Sequence, residues 1–149
     1  MKRDILILRD PRESAKKCSL TPLRDLEGVR FVSYHRDRRL AAGGRVLLHP
    51  EGQLFGPADR GRPLLLLDCA WRRVPQLLAT VDGPYDLRRL PPLATAYPRR
   101  SQVFEDPGEG LASVEALYAA ARLLGSPDRE LLRGYRWAEE FLRLNPSLA

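Results

Sequence analysis

A chain of 149 residues, 44% of them apolar and 30% charged, has the balance of one soluble globular domain and excludes a disordered or membrane-spanning class. Its apolar runs are too short to cross a bilayer, and Asp10-Pro11-Arg12-Glu13 stops the first run before a secretory core forms, so the expected place of work is the cytoplasm. The net charge of +6 is uneven: residues 1–100 carry 20 Lys+Arg against 11 Asp+Glu, or +9, and residues 101–149 carry 5 against 8, or −3.

Short strands broken by turns make up the first hundred residues. The expected strands are Ile5 to Leu8, Val29 to Tyr34, Arg45 to His49, ended by the turn signal Pro50-Glu51-Gly52, and Leu64 to Leu67. The last is an unbroken leucine run, the pattern of a strand buried on both faces of a parallel sheet. Ser19 to Leu26 and Ala70 to Thr80 suit helical connections, which makes the pattern α/β.

After Pro98 the texture changes. A polar loop, Glu105 to Gly110, leads into Ala112 to Leu124, where Val114, Leu117, Tyr118, Ala121 and Leu124 recur at helical spacing and Gly125 supplies the cap. Ser126-Pro127 predicts the start of a short helix ended by Gly134. A last helix carries Tyr135, Trp137, Phe141 and Leu144 and closes at Asn145-Pro146. The expected layout is one domain, with an α/β part over residues 1–95 and a smaller, mainly helical part over 96–149.

Several chemistries lack their usual support. Neither a dinucleotide-binding Gly-x-Gly-x-x-Gly, a phosphate-binding Gly-x-x-x-x-Gly-Lys-Ser/Thr nor a Gly-x-Ser-x-Gly elbow is present. His35 and His49 stand alone, and Cys18 and Cys69 are too few for a disulfide scaffold or a four-ligand zinc site, so no metal is expected. Paired arginines at Arg38-Arg39, Arg72-Arg73, Arg88-Arg89 and Arg99-Arg100 suit a surface that tracks phosphates; solvated arginine faces have the same look. Of these, Arg72, Arg73, Arg99 and Arg100 are the candidate RNA contacts.

The most informative segment is Leu64-Leu65-Leu66-Leu67-Asp68-Cys69-Ala70-Trp71, a buried strand ending in a carboxylate and a large aromatic. Strand carboxyl ends are where open α/β sheets bind ligands. This segment resembles the strand-to-helix element of the ribosomal-RNA aminocarboxypropyltransferase family, which reads close to Asp-Cys-Ser-Trp there. Lys17-Cys18-Ser19, Leu48-His49-Pro50, Gly56-Pro57-Ala58-Asp59, Arg89-Leu90-Pro91, Leu111 to Ala116 and Tyr135 to Asn145 are similar to family segments in the same order. Residues Tyr97 to Glu115 also resemble the sister DTW-domain transferases of transfer RNA.

The resemblance implies a SPOUT-like, knotted α/β sheet with flanking helices and a smaller C-terminal helical subdomain, and S-adenosylmethionine as the donor of a 3-amino-3-carboxypropyl group. It places Ser19 and the backbone of Ser113 at the carboxylate of the methionine moiety, Leu67 at the ribose, and Leu90 and Glu109 at adenine. Leu48, Pro50, Leu111 and Ala116 line the adenine pocket, and Trp71 walls in the S-methyl group. Such a grip would present the γ-carbon rather than the methyl to a base nitrogen. Asp68 is the candidate general base. The implied partner is structured RNA, ribosomal rather than transfer RNA, approached by a monomer.

Each role has a plainer rival. Trp71 also suits ordinary core, Ser19 and Ser113 suit helix N-caps, and Asp68 suits a cap on the helix that follows. Two other readings of the whole chain stay open at this point: a SPOUT-type RNA methyltransferase, and an RNA-binding ribosome-assembly protein without catalysis. Ala96-Tyr97-Pro98-Arg99-Arg100-Ser101 departs from the family's Ala-Asn-Pro and Asn-Tyr-Gly pattern, a change in the RNA-facing loop rather than in the cofactor pocket.

Overall fold

A computed structural model describes residues 3–13, 18–98 and 110–148. Of the expected features, Lys17, Arg99, Arg100, Glu109 and most of the polar loop before Gly110 lie outside the described residues.

In chain order the strands are β1 (Ile5–Arg9), β2 (Val29–Ser33), β3 (Leu40–Ala41), β4 (Arg45–Leu54), β5 (Leu64–Asp68), β6 (Val81–Asp82) and β7 (Tyr85–Arg89). The α-helices are α1 (Val74–Leu78), α2 (Ser113–Leu123) and α3 (Ala138–Leu144). Five strands form one sheet in the order β2-β1-β5-β4-β7, with every neighbouring pair parallel. β3 and β6 form a small parallel pair beside it. A parallel sheet needs cover on both faces, and the alternation of side chains supplies it. Ile5, Ile7, Leu64 and Leu66 face a core shared with α2, α3 and the C-terminal turns, whereas Leu6, Leu8, Leu47 and Leu65 face Leu77 of α1 and Val81. The leucine run of β5 is therefore buried on both sides, as its composition predicts.

The expected strand over Arg45 to His49 is longer than its sequence suggests. Leu48 and Gln53 both stand opposite Arg88 of β7, so His49-Pro50-Glu51-Gly52 is a bulge within β4, not a turn that ends it. Gly52 makes this possible by close approach: a Cβ there would lie 2.4 Å from the carbonyl carbon of Leu87 and 2.5 Å from the amide of Arg88.

The connection expected as a helix over Ser19 to Leu26 holds a single 3-10 turn, Thr21–Leu23, with Pro22 inside it. Ala70 to Thr80 begins as a 3-10 turn, Trp71–Arg73, before α1. β3, β6 and β7 carry no clear sequence signal. In β7, Asp86, Arg88 and Arg89 hide the strand pattern, because as an edge strand it meets solvent along much of its length.

The helical stretch follows expectation in α2, which buries Val114, Leu117, Tyr118 and Ala121. It stops at Gly125, whose φ of 100° turns the chain while the Ser126 amide donates back to the Ala121 carbonyl at 2.9 Å. The next turn is a 3-10 helix, Arg129–Leu132, capped by Asp128 rather than by the expected Ser126; the Glu130 amide donates to Asp128 Oδ1 at 3.2 Å.

Candidate active site

A cavity of about 520 Å³ lies at the β4 bulge and the carboxyl ends of β5 and β7, closed from the side by the first turn of α2. The β4 bulge contributes Leu48, His49 and Pro50; β5 and the turn after it contribute Leu66, Leu67, Cys69, Trp71 and Val74. Arg89, Leu90 and Pro91 come from the end of β7, and Gly110, Leu111, Ser113 and Ala116 from the entry into α2. The walls are mostly apolar, with polar groups at their edges. His49 Nδ1 accepts the Glu51 amide at 3.1 Å, and Arg89 Nη1 donates to the Gly52 carbonyl at 3.0 Å, so both side chains brace the bulge that shapes the wall. Trp71 is 43% exposed, an unusual state for so large an aromatic, and stands at the rim.

The structure thus brings together Leu48, Pro50, Leu67, Trp71, Leu90, Leu111, Ser113 and Ala116, residues widely separated in the chain, on one cavity. Ser19 stands just behind it. Its Oγ accepts the amide of Val114 at 3.1 Å, so it caps α2 from a segment 95 residues away rather than capping a helix of its own. Amides of a helix's first turn are unpaired within the helix and carry positive potential, which makes this end of α2 suited to a carboxylate.

Asp68 takes a different place from the one its position beside Trp71 suggests. It is not among the residues lining the cavity; its Oδ2 accepts from Arg9 Nε at 2.9 Å and from the Cys18 thiol at 3.2 Å, and the side chain is buried. Arg9 in turn lies over the Phe31 ring, its Cζ 4.5 Å from the centroid. Asp10, also buried, holds Arg73 Nε at 3.0 Å. Arg73, expected at RNA, is therefore half-buried and tied to Asp10, while Arg72 is exposed. Burial pushes the Cys69 thiol up to about 12, aided by the nearby Asp10 and Asp68, and the Cys18 thiol up to about 11, aided by Asp68.

Sequence reasoning assigned no role to the group that fixes the cavity's far wall. Glu115 is buried, and its carboxylate accepts four hydrogen bonds: from the Thr95 hydroxyl at 2.6 Å, and from the Ala96 amide, the Ala112 amide and the Tyr135 hydroxyl at 2.9 Å each. Asn145 completes the clamp. It accepts the Ala94 amide through Oδ1 and donates to the Ala94 carbonyl through Nδ2, both at 2.8 Å. The segment that runs from Leu90 past the cavity is thereby fastened to α2 and α3. Both residues stand in family-like segments, yet only the folded chain shows what they hold.

A second cavity, about 610 Å³, lies at the opposite ends of β1 and β5 and contains none of the expected residues. Both of its arginines are already paired, Arg3 with Asp128 at 2.5 Å and Arg62 with Asp86 at 2.8 Å. Size alone would favour it; the convergence of apolar walls, an open aromatic and a helix amino terminus favours the smaller cavity.

Fold and cavity together define an α/β protein with a parallel-strand sheet and a ligand site where the strands end. The chain matches the family described as "Ribosome biogenesis protein, C-terminal" over residues 46–149, and it belongs to that family. Its fold is shared with the solved structure described as "Structure of the SAM-dependent rRNA:acp-transferase Tsr3 from Vulcanisaeta distributa", with a TM-score of 0.75 and 28% identity, covering 99% of this chain and 80% of that one. No curated protein matches the sequence.

Proposed function

We propose that this protein transfers the 3-amino-3-carboxypropyl group of S-adenosylmethionine to a base nitrogen of ribosomal RNA, with uridine or a modified uridine as acceptor. The observation that carries this reading is the convergence of eight cofactor positions on one cavity, in a chain that shares its fold with a transferase of that description.

The residues present suit the cofactor. A cavity of about 520 Å³ falls within the range of small-molecule sites, and Leu48, Pro50, Leu90, Leu111 and Ala116 offer apolar walls to a purine. Ser113 and the first turn of α2 would hold the carboxylate, with Ser19 steadying that turn from behind. Trp71 would cover the methyl group and face the sulfonium charge, an arrangement that contributes about 0.5–2 kcal/mol. S-adenosylmethionine would supply, when bound, a sulfonium whose γ-carbon the base nitrogen can attack as the γ-carbon–sulfur bond breaks, with the neutral thioether methylthioadenosine leaving and the nitrogen's proton passing to solvent. The protein's part is orientation: with the methyl walled in and the amino-acid end pinned, the aminocarboxypropyl arm is the one left toward the RNA. Asp68 is assigned to holding Arg9 and Cys18 behind the strand end.

The same proposal takes in the SPOUT-like, knotted course of the chain, its division at residues 95 and 96, and action as a cytoplasmic monomer. The parallel sheet, and the presence of helices without strands among the described residues after Pro98, support the first two.

Two measurements test the activity. Calorimetry with S-adenosylmethionine should show binding that Trp71→Ala weakens about 2- to 30-fold, in keeping with loss of an aromatic wall over a cation. Mass spectrometry of nucleosides from RNA incubated with protein and cofactor should then show an amino-acid-bearing product. A methylated product would instead establish a methyltransferase, and failure to bind the cofactor at millimolar concentration would leave only RNA binding.

A further inference from the structure

Beyond Pro91 the chain leaves the cavity and is fastened at Ala94 by Asn145 and at Thr95 and Ala96 by Glu115. Tyr97 follows these anchors and is 39% exposed, so its ring is not needed to hold the segment down. It meets Trp137 edge-on, with centroids 5.2 Å apart and planes at 68°, and Trp137 meets Tyr135 the same way at 5.9 Å. Arg136, exposed, lays its guanidinium over Trp137, with Cζ 5.6 Å from the ring centroid. An edge-on contact engages at most one face of Tyr97.

An exposed aromatic face flanked by a guanidinium is the chemistry that receives an unpaired nucleobase. Each base has a π face to stack, and the cation suits the adjoining phosphate. Among the described residues the acidic neighbours Glu140 and Glu139 do not cancel that charge, because Glu140 is paired with Arg143 and Glu139 lies 3.6 Å from Arg129. The position is also suitable. Six residues from Pro91 to Tyr97 span at most about 20 Å, and Glu115 binds Ala96 and Tyr135 while its neighbour Ala116 lines the cavity.

We propose that Tyr97, Trp137 and Arg136 form a stacking platform for an unpaired base of the RNA, close to the nucleotide that enters the cavity; this rests on the reading of the substrate as RNA. The platform would select a loop over a paired helix, since only splayed bases can reach a ring.

Fluorescence anisotropy with the full chain tests it, using an RNA hairpin with an unpaired loop and a fully paired RNA duplex of equal length. Tyr97→Ala should weaken hairpin binding about 5- to 100-fold and leave duplex binding unchanged, while Tyr97→Phe should stay within about twofold of the wild type. Unchanged S-adenosylmethionine affinity in Tyr97→Ala shows that fold and cavity survive the substitution. Wild-type hairpin affinity in Tyr97→Ala, or an equal loss on both RNAs, overturns the platform while the transferase reading stands. A wild-type protein that binds neither RNA overturns the RNA reading and the platform with it.

Discussion

The hydroxyl of Tyr135 donates to Glu115 Oε2 at 2.9 Å, inside the core, where neither group meets solvent freely. Burial pushes the Tyr135 hydroxyl well above the ordinary tyrosine range, and the neighbouring carboxylate pushes it further. An acid whose proton is held more tightly in the folded state stabilises that state fully below its unfolded value. The contribution is lost as pH rises from about 10 towards the folded value, because the unfolded chain then releases the proton first. Urea denaturation should therefore show a steep fall in stability above about pH 10. Tyr135→Phe should flatten that fall, at a cost near neutral pH of about 1–2 kcal/mol for the lost bond. Glu115→Ala strands four donors at once and should cost at least about 3 kcal/mol.

Gly52 gives a second prediction, because the β4 bulge depends on an absent side chain. A Cβ at this position would collide with the Leu87 and Arg88 backbone, neither of which can turn aside. Gly52→Ala should lower stability by about 1–3 kcal/mol, read from the thermal midpoint. It should also weaken S-adenosylmethionine binding in calorimetry, since His49 and Pro50 belong to both the bulge and the cavity wall.

These residues also mark how far the sequence can be read. β1 and β5 are legible because their apolar runs are buried by the sheet itself, with β5 covered on both faces, and the edge strand β2 is legible from its β-branched and aromatic residues Val29, Phe31 and Val32. The end of β4 is not, since Pro50-Glu51-Gly52 has the composition of a turn, and only the closeness of β7 shows why a proline and a glycine are tolerated inside a strand. β7 is hidden by Arg88, which bonds Asp59 at 3.0 Å, and by Arg89, which braces the bulge; both charges are spent on tertiary contacts that local pattern cannot show. The cavity was legible through the ordered family-like segments. Glu115 was not, because a buried carboxylate justified by four donors from three separate stretches of chain has no local signature.

The two thiols carry a prediction of low reactivity. Burial and the neighbouring Asp68 carboxylate hold Cys18 at about 11, against an ordinary value of 9.0, which is a roughly 100-fold smaller thiolate fraction near pH 8. Cys69, pushed up to about 12, should be slower still despite lining the cavity. Iodoacetamide should label the native protein at least about 100-fold more slowly than the same chain in denaturant. Fast labelling of Cys69 in the folded state would mean that the strand end is open to water.

Asp68 and Arg9 lie 2.9 Å apart, with side chains 4% and 12% exposed, and that pairing decides between two roles for the carboxylate. A general base should contribute about 10²–10⁴-fold to transfer with little effect on folding. A buried ionic partner behaves the other way. Asp68→Asn should then cost about 3 kcal/mol of stability by leaving the Arg9 guanidinium unanswered, while transfer per folded molecule changes less than about 10-fold. The double variant Arg9→Leu with Asp68→Leu separates the cases, because removing both charges abolishes the cost of the unpaired cation and should recover much of the stability lost in Asp68→Asn. Denaturation midpoints and single-turnover transfer, measured on the same preparations, give both quantities. A variant that folds as well as the wild type yet transfers nothing would return Asp68 to the chemistry.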